Sequence, residues 1–332
     1  MNADTASATD TANAPGRSCP LHYRYAPSCF ARPAEAHCEV LYVVGGLYGN
    51  GQALDEVLRL FAAERGSKRL VFNGDFHWFD TDPALFARVN DAVLAHDALR
   101  GNVETELADP DADPAAGCGC AYPDWVGDGV VERSNRILQA LRHTAHAVPG
   151  ATARMAALPM HRRVDVGPLR VAIVHGDATS LAGWGFAQEH LQDPAHRETV
   201  RTWFEQAQVD AFACSHTCAP VFNELPVAGR ARAPLVLNNG AAGMPNLRGD
   251  TAGLLTRIAL RPFTGRERRH GLERDGVFIE AIAIEGDHPA WLAAFRQMWP
   301  SGSDAELSYG ARLRGTAGCE PAQAWPERQT EV

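Results

Sequence analysis

The sequence lacks the features that mark exported and membrane-spanning proteins. It has no stretch of about eighteen consecutive apolar residues, so it predicts no membrane-spanning helix. The N-terminus, MNADTASATDTANAPGRS, has no basic start followed by an apolar run and does not resemble a secretory signal. We therefore expect a cytoplasmic protein that does not bind membranes.

Positive charge is also scarce. The chain has 31 Lys and Arg residues against 40 Asp and Glu residues, which gives a formal net charge of −9. General nucleic-acid binders neutralise phosphates with clustered Lys and Arg, so we expect no stable nucleic-acid binding. A small phosphorylated substrate stays compatible with this charge, because a bound divalent cation supplies local positive charge.

Several common catalytic and binding motifs are missing. The sequence contains neither the G-x-x-x-x-G-K-[ST] phosphate loop nor the G-x-S-x-G nucleophile elbow. The run GGLYGNG, from Gly45, follows an apolar segment but lacks the G-x-G-x-x-G spacing of a dinucleotide site. In a reducing cytoplasm we expect the cysteines to be thiols or metal ligands rather than structural disulfides.

The chain divides into three segments by composition. Residues 1–38 begin with about eighteen polar and small residues that predict disorder, followed by an extended stretch. Residues 39–285 contain no linker and predict one domain. Residues 286–332 predict one helix with Trp291, Phe295 and Met298 on its buried face, followed by a poorly structured tail.

The first part of the predicted domain alternates strands and helices. The strand EVLYVVGG begins at Glu39, and Leu54, Val57 and Phe61 have the spacing of a helix that Gly66 ends. A second strand covers residues 69–75, and a second helix covers residues 83–96. This order predicts an α/β fold with a parallel sheet, in which functional residues follow the carboxyl ends of the strands.

Groups able to bind a metal follow these strand ends and those of later strands. They are Asp75, Asn102, His175, His216 and Cys218. A carboxylate, an amide oxygen and two imidazoles suit Mn, Fe, Zn or Ni. Each residue alone also has a structural interpretation, as a turn or helix cap for the Asp and as a hydrogen-bonded core residue for the His.

The order of these residues resembles the calcineurin-like metallophosphoesterases, whose blocks run D-x-H, G-D-x-x-D, G-N-H-D/E, H and G-H-x-H. The corresponding blocks here are GGLYGN, NGDFHWFD, RGNVE, VHGD and CSHTC. The flanking runs GNGQALDEVL and LNNGAAGMPN resemble the family's small bacterial and archaeal phosphodiesterase branch. The likeness covers roughly residues 39–285. It implies a four-layer α-β-β-α sandwich of two mixed sheets.

The resemblance implies one complete metal site and one altered site. The ligands of the complete site would be Asp75, Asn102, His175 and His216. In the other site the family's Asp and His are replaced by Gly46 and Tyr48, and its last His is Cys218. Only the bridging Asp75 is shared by both. The cofactor implied is a divalent metal, with one firm site and a second one uncertain.

Two further positions differ from the family pattern near the expected catalytic centre. Val103 stands where many members have a His that protonates the leaving group, and Trp78 replaces the second Asp of G-D-x-x-D. Glu104 occupies the acidic position that orients its neighbours in the family, and it is a catalytic candidate together with His77. His77 is the candidate acid or base, because an unperturbed imidazole titrates near neutral pH. Alternatively, His77 is a partly buried loop residue that packs beside Trp78 and Phe79.

Three functions are compatible with these departures. The first is a metal-dependent phosphoesterase with one metal, hydrolysing a phosphodiester or nucleotide through metal-activated water. The second is a hydrolase with a rebuilt second site, in which Cys218 acts with Tyr48, His77, or one of Cys118 and Cys120. The third is a non-catalytic protein of the same fold that binds a phosphorylated ligand or a protein partner.

Overall fold

The computed structural model describes residues 14–110, 116–226 and 232–326. The strands are β1 (Ala36–Cys38), β2 (Val40–Val44), β3 (Lys68–Asn73), β4 (Asp97–Leu99), β5 (His161–Val166), β6 (Leu169–Val174), β7 (Ala211–Cys214), β8 (Pro220–Glu224), β9 (Leu235–Asn239), β10 (Gly253–Ala259), β11 (Arg268–Arg274) and β12 (Val277–Ile284). The α-helices are α1 (Gly51–Ala63), α2 (Pro83–Val93), α3 (Asn102–Ala108), α4 (Asp128–Ala147), α5 (Ala151–Ala156), α6 (Gln188–Gln192), α7 (Pro194–Ala207), α8 (His288–Met298), α9 (Asp304–Leu313) and α10 (Pro321–Ala324).

The strands form two sheets of six strands each. The first sheet has the order β1-β5-β6-β7-β9-β8, and the second has the order β11-β12-β10-β2-β3-β4. Both are mixed. The pairs β6–β7, β7–β9, β2–β3 and β3–β4 are parallel, whereas β5–β6, β8–β9, β2–β10 and β10–β12 are antiparallel. The carboxyl ends of β3, β4, β6 and β7 are therefore the places to look for functional side chains.

The sheets pack face to face, with helices on their outer faces. Strand β2 shows the layering, since Leu41 and Val43 belong to the core between the sheets and Tyr42 and Val44 to the core under the helices. The outer face of the second sheet packs against α1, α2, α4 and α8. The outer face of the first sheet packs against α7 and the short 3₁₀ helix Pro27–Phe30. The predicted four-layer α-β-β-α sandwich is confirmed.

Local sequence explains why the first helices begin where they do. The side chain of Asn50 accepts hydrogen bonds from the Gln52 and Ala53 backbone N–H groups and so caps α1. Asp82 caps α2 in the same way, accepting from the Leu85 N–H, and Pro83 occupies the first helical position. Both helices then bury apolar residues at helical spacing against the second sheet.

Several predicted boundaries differ from the structure. Helix α1 ends at Ala63, before Gly66, and α2 ends at Val93 rather than His96. Of the predicted disordered start, residues 1–13 lie outside the described residues. Arg17, inside the segment predicted to be disordered, is held in place, because its guanidinium donates to the carbonyls of Pro123 and Val126.

The C-terminal segment also has more structure than the sequence indicated. Beyond α8, the helices α9 and α10 are formed, so the prediction of a poorly structured tail is wrong over residues 304–324. Arg312 on α9 donates to the carbonyl oxygens of Pro245 and Cys218. These contacts hold α9 against the loops after β7 and β9.

Within the described residues, no helix combines the length and the apolar character needed to cross a bilayer.

Candidate metal centre

Four predicted ligands converge where the two sheets meet at the ends of their strands. Asp75 follows β3 and Asn102 follows β4 in the second sheet, whereas His175 follows β6 and His216 follows β7 in the first. All four side chains are buried. Among the described residues, the only group of three or more His, Cys, Asp or Glu whose ligand atoms lie within 4.8 Å of one another is Asp75, His175 and His216.

The Nε2 atom of His175 is the centre of this arrangement. It lies 3.3 Å from Oδ2 of Asp75, 3.2 Å from Oδ1 of Asn102 and 3.2 Å from Nδ1 of His216. Its other ring nitrogen, Nδ1, is 2.8 Å from the Asn73 carbonyl oxygen. A carbonyl can only accept, so Nδ1 carries a hydrogen and the lone pair of the neutral ring is on Nε2.

The carbonyl oxygens of Cys118 and Cys120 orient two more ligands. Nε2 of His216 donates to the Cys120 carbonyl at 3.0 Å, which leaves the lone pair on Nδ1, facing His175. The amide nitrogen of Asn102 donates to the Cys118 carbonyl at 2.9 Å, which turns Oδ1 toward His175. Such outer hydrogen bonds fix tautomer and orientation in metal sites. The donor set of two imidazoles, a carboxylate and an amide oxygen therefore fits a divalent ion.

Burial and neighbouring groups set the pKa values in this group. Burial lowers the pKa of His216 to about 4, and the neighbouring His175 acts in the same direction, so His216 is neutral at pH 7. Burial opposes the charged form of His175, but the carboxylate of Asp75 raises its pKa above the ordinary value. Burial would raise the pKa of Asp75, but the charge and the hydrogen bond of His175 hold it below the ordinary value.

A tight approach of two loops explains the glycine before Asp75. Gly74 has φ +78°, and a Cβ there would lie 2.6 Å from both the Gly101 backbone N and Nδ1 of His175. Only glycine fits this conformation and this spacing without displacing its neighbours. The Gly-Asp pair therefore places the Asp75 carboxylate directly beside the loop that carries Asn102.

Glu104 fastens these same loops together. Its carboxylate accepts from the backbone N–H groups of Asp75 and Gly101, each at 2.8 Å, and from those of Phe76 and His77 at 3.0 and 3.3 Å. Burial and the nearby Asp75 carboxylate raise the pKa of Glu104 to about 7. The side chain predicted as catalytic therefore holds the ligand loops, as the acidic residue at this position does in the resembled family.

The structure does not bring His77 to the site. Its imidazole is fully buried, with Nδ1 2.6 Å from Oδ2 of Asp80 and Nε2 3.4 Å from Oδ1 of Asn90. The ring stacks on Phe86 with centroids 3.7 Å apart. Both nitrogens are engaged in the core. This geometry is that of the packed loop residue given above as the alternative, and the choice of His77 as acid or base stays a prediction.

The altered first site is filled by protein side chains. The phenol of Tyr48 lies over Gly46, where a Cβ would come within 2.8 Å of the ring, and its hydroxyl lies 2.7 Å from Sγ of Cys218. Burial raises the pKa of the Cys218 thiol. Cys218, predicted as a metal ligand, therefore lies at the edge of the site with its sulfur engaged by Tyr48, outside the group formed by the Asp and the two His.

The loop between α3 and α4 brings two cysteines together. The sulfur atoms of Cys118 and Cys120 lie side by side, and neither belongs to the group of Asp75, His175 and His216. Gly119 between them has φ +65°, and this turn brings their Cα atoms to 5.3 Å. The orienting role of the two carbonyl oxygens was missed, because backbone groups leave no signature in residue types. A glycine between two cysteines was the only available signal of a tight turn.

An open cavity of about 200 Å³ borders the centre. Asp75, Asn102 and His216 line one side of it, and five aromatic side chains line much of the rest. These are Tyr48, Trp78, Tyr122, Trp184 and Tyr309. The cavity is open to solvent on one side and borders three of the four candidate metal ligands.

Comparisons with known proteins agree with this geometry. No protein-family model and no curated protein matches the sequence. Among solved structures, a metallophosphoesterase from Sphaerobacter thermophilus is similar with a TM-score of 0.50 at 15% identity, over 84% of this chain and 100% of that chain. A hypothetical protein from Pyrococcus horikoshii OT3 is similar with a TM-score of 0.55 at 13% identity, over 84% of this chain and 99% of that chain. The chain therefore has the metallophosphoesterase fold, and the resemblance found in the sequence is confirmed at the level of the fold.

Proposed function

We propose that the protein is a metal-dependent phosphoesterase that hydrolyses phosphodiesters or nucleotides. The observation that carries the proposal is the convergence of Asp75 Oδ2, Asn102 Oδ1 and His216 Nδ1 within 3.3 Å of His175 Nε2, beside an open cavity. The metallophosphoesterase from Sphaerobacter thermophilus, which shares the fold, supports the same reaction class.

The residues that would hold the ion are Asp75, Asn102, His175 and His216. Their two imidazoles and oxygen donors suit Mn, Fe, Zn or Ni. A divalent ion held there would polarise a phosphoryl oxygen and acidify a water molecule for in-line attack. The chain's own contribution is to keep both imidazole lone pairs directed inward, through the carbonyl oxygens of Asn73 and Cys120.

The lining of the cavity favours diesters over monoesters. Among the described residues that line it, none is Lys or Arg. A phosphomonoester carries a second negative charge at neutral pH that such side chains would neutralise, so their absence from this lining favours a phosphodiester, which carries one. This is the support for choosing a phosphodiester or nucleotide over a phosphorylated protein.

Two positions near the centre, Val103 and His77, predict a preference for good leaving groups. Val103 lines the cavity at the position where an imidazole would protonate the leaving oxygen, and His77 is held in the core. An ester whose alcohol is acidic, such as a phenol, needs less proton transfer in order to leave. We expect such esters to be hydrolysed fastest.

A second candidate function is favoured by the contact between Tyr48 and Cys218. This contact occupies the position of the family's other metal site, so a two-metal clamp on the attacking and leaving oxygens would be missing. The protein would then bind a phosphorylated ligand or a protein partner without hydrolysing it.

Hydrolysis of bis(p-nitrophenyl) phosphate with added Mn, Ni or Zn separates the two functions. We expect turnover by the unaltered protein and none above background by His216→Ala, because the substitution removes a ligand. The matched control is His146→Ala, at an exposed position on α4, which should keep full activity. Equal turnover by both variants would mean that the active site is elsewhere. Ligand-dependent thermal stabilisation without turnover would support the binding function.

A further inference from the structure

The aromatic rings beside the metal centre come from separate segments and surround one cavity. Trp78 follows β3, Tyr122 lies before α4, Trp184 follows β6, and Tyr309 is on α9. Tyr122, Trp184 and Tyr309 are only partly buried, so part of their ring surface stays accessible. Rings that served only to fill the core would be enclosed, as Phe79 and Phe86 are.

Two of these rings are held in fixed orientations. The indole N–H of Trp184 donates to the Cys120 carbonyl at 2.9 Å, and the Tyr122 hydroxyl lies 3.0 Å from the Ser134 hydroxyl. Their ring centroids are 5.8 Å apart with a tilt of 48°. Trp184 also meets the ring of His216 edge to face at 5.5 Å. A ring bound beside Trp184 would therefore lie next to a candidate metal ligand.

An exposed tryptophan extends this aromatic surface to the solvent. Trp125 is 51% exposed, one of few large apolar side chains so exposed among the described residues. Its ring meets Trp184 edge to face at 6.3 Å. The rings of Trp125, Trp184 and His216 are therefore successive neighbours, from the solvent to the candidate metal centre.

The size and charge of the cavity limit what it can hold. A volume of about 200 Å³ lies below the roughly 300–1,000 Å³ of sites that hold drug-sized ligands. That suits a small planar group next to a phosphoryl group rather than a folded peptide. Neither Lys nor Arg contributes to the described lining, so the rings, not ion pairs, supply the contacts away from the metal ligands.

We infer that this cavity binds a planar aromatic ring attached to the phosphoester, so that aryl and nucleobase-bearing esters are preferred over esters that lack a ring. Tyr122 and Trp184 would contact the ring, and Trp125 would contact it on entry. The inference rests on the proposed function for the position of the phosphoryl group, but ring binding itself requires no turnover.

The test compares binding of matched ligands to the full-length, Mn-loaded protein by isothermal titration calorimetry. Adenosine 5′-monophosphate is paired with ribose 5-phosphate, and phenyl phosphate is paired with methyl phosphate. We expect the ring-bearing member to bind roughly 5-fold to 100-fold more tightly, the size of effect seen for stacking on one aromatic side chain. A preference within the adenosine pair alone identifies a nucleobase site, and a preference within both pairs identifies a general ring site.

Two variants locate the effect. Tyr122→Leu removes a lining ring but keeps an apolar side chain, and Trp125→Ala alters an exposed side chain that the core does not need. Each should reduce the preference for the ring without weakening ribose 5-phosphate binding. Leu21→Ala is the control, since Leu21 is 79% exposed and does not line the cavity.

Equal affinities within both pairs would overturn the inference, as would a preference that neither variant reduces. These outcomes are separate from failure of the proposed function. A protein that binds rings but never hydrolyses bis(p-nitrophenyl) phosphate keeps this inference and loses the enzymatic proposal. A protein that hydrolyses the diester without any preference for rings keeps the enzymatic proposal and loses this inference.

Discussion

His77 lies two residues after Asp75, yet its ring is packed in the core while the Asp75 carboxylate faces the cavity. The difference arises from neighbours distant in sequence: Asn90 and Phe86 on α2 contact the imidazole, and Asp80 accepts its hydrogen. A sequence motif gives the spacing of residues but not the direction in which a loop side chain points. The residue type of His77 suggested catalysis, whereas its packing favours a structural role.

The consequence for His77 is a change in stability rather than in chemistry. We expect His77→Ala to lower the free energy of unfolding by about 2–5 kcal/mol, because it leaves the buried Asp80 carboxylate without its partner and opens a cavity against Phe86. Urea unfolding measures this. Turnover of bis(p-nitrophenyl) phosphate per folded molecule should stay near that of the unaltered protein.

The opposite pattern would contradict this assignment. Unchanged stability together with a large fall in turnover number would make His77 the acid or base after all.

The four candidate ligands could be proposed from the sequence for two reasons. Asp75, His175 and His216 each follow a strongly apolar strand, whereas Asn102 follows the short strand β4. In addition, the order of all four resembles a family pattern. The hydrogen bonds that orient these side chains toward one another could not be predicted. They come from the carbonyl oxygens of Asn73, Cys118 and Cys120, groups that every residue type possesses. Which carbonyl meets which ring depends on the folded positions of loops distant in sequence.

At the scale of elements, the turn from Cys118 to Cys120 is the part of the site least visible in the sequence. It carries both carbonyls that orient Asn102 and His216. Gly119 has φ +65°, and a Cβ there would collide with the Tyr23 hydroxyl, which itself donates to Glu106 at 2.6 Å. The N-terminal segment therefore supports the turn that supports the ligands.

This arrangement makes Gly119→Ala a test of the turn. We expect the substitution to shift the two carbonyls and to weaken Mn or Zn binding by roughly 10-fold to 100-fold, the effect typical of losing an outer hydrogen bond to a metal ligand. Competition with a metal-binding indicator measures the affinity.

The matched control is Gly127→Ala. Gly127 has a negative φ, and a Cβ there would meet nothing within 4 Å. The metal affinity of the Gly127→Ala variant should therefore equal that of the unaltered protein. Equal affinity in both variants would show that the turn does not orient the ligands.

At the scale of the whole molecule, the two-sheet sandwich could be predicted from the sequence, but its short strands and its C-terminal helices could not. The alternation of strands with helices, read together with the family blocks, led to two mixed sheets, because apolar strands such as β2, β6 and β7 are buried on both faces. Short elements such as β1, β4 and α10 lack a periodic signal long enough to recognise. The helix α9 was missed because its weakly apolar face, with Ala305 and Leu313, is stable only against the rest of the fold.

Within the part of the chain that the structure describes, one ligand group is well formed, and Tyr48 and Cys218 fill the position of the other site. The central claim that follows is a single metal ion per chain, held where the two sheets meet. A rebuilt second site would require the contact between the phenol and the thiol to open and both groups to face a second ion beside Asp75.

Metal content per chain tests this claim most directly. The protein is purified without added metal and without a nickel column, and its metals are counted by elemental mass spectrometry. We predict about one divalent ion per chain, lost in His216→Ala and kept in His146→Ala. About two ions per chain would contradict the account by showing a rebuilt second site, and no ion even after incubation with Mn or Zn would contradict it by showing that the four ligands do not form a metal site.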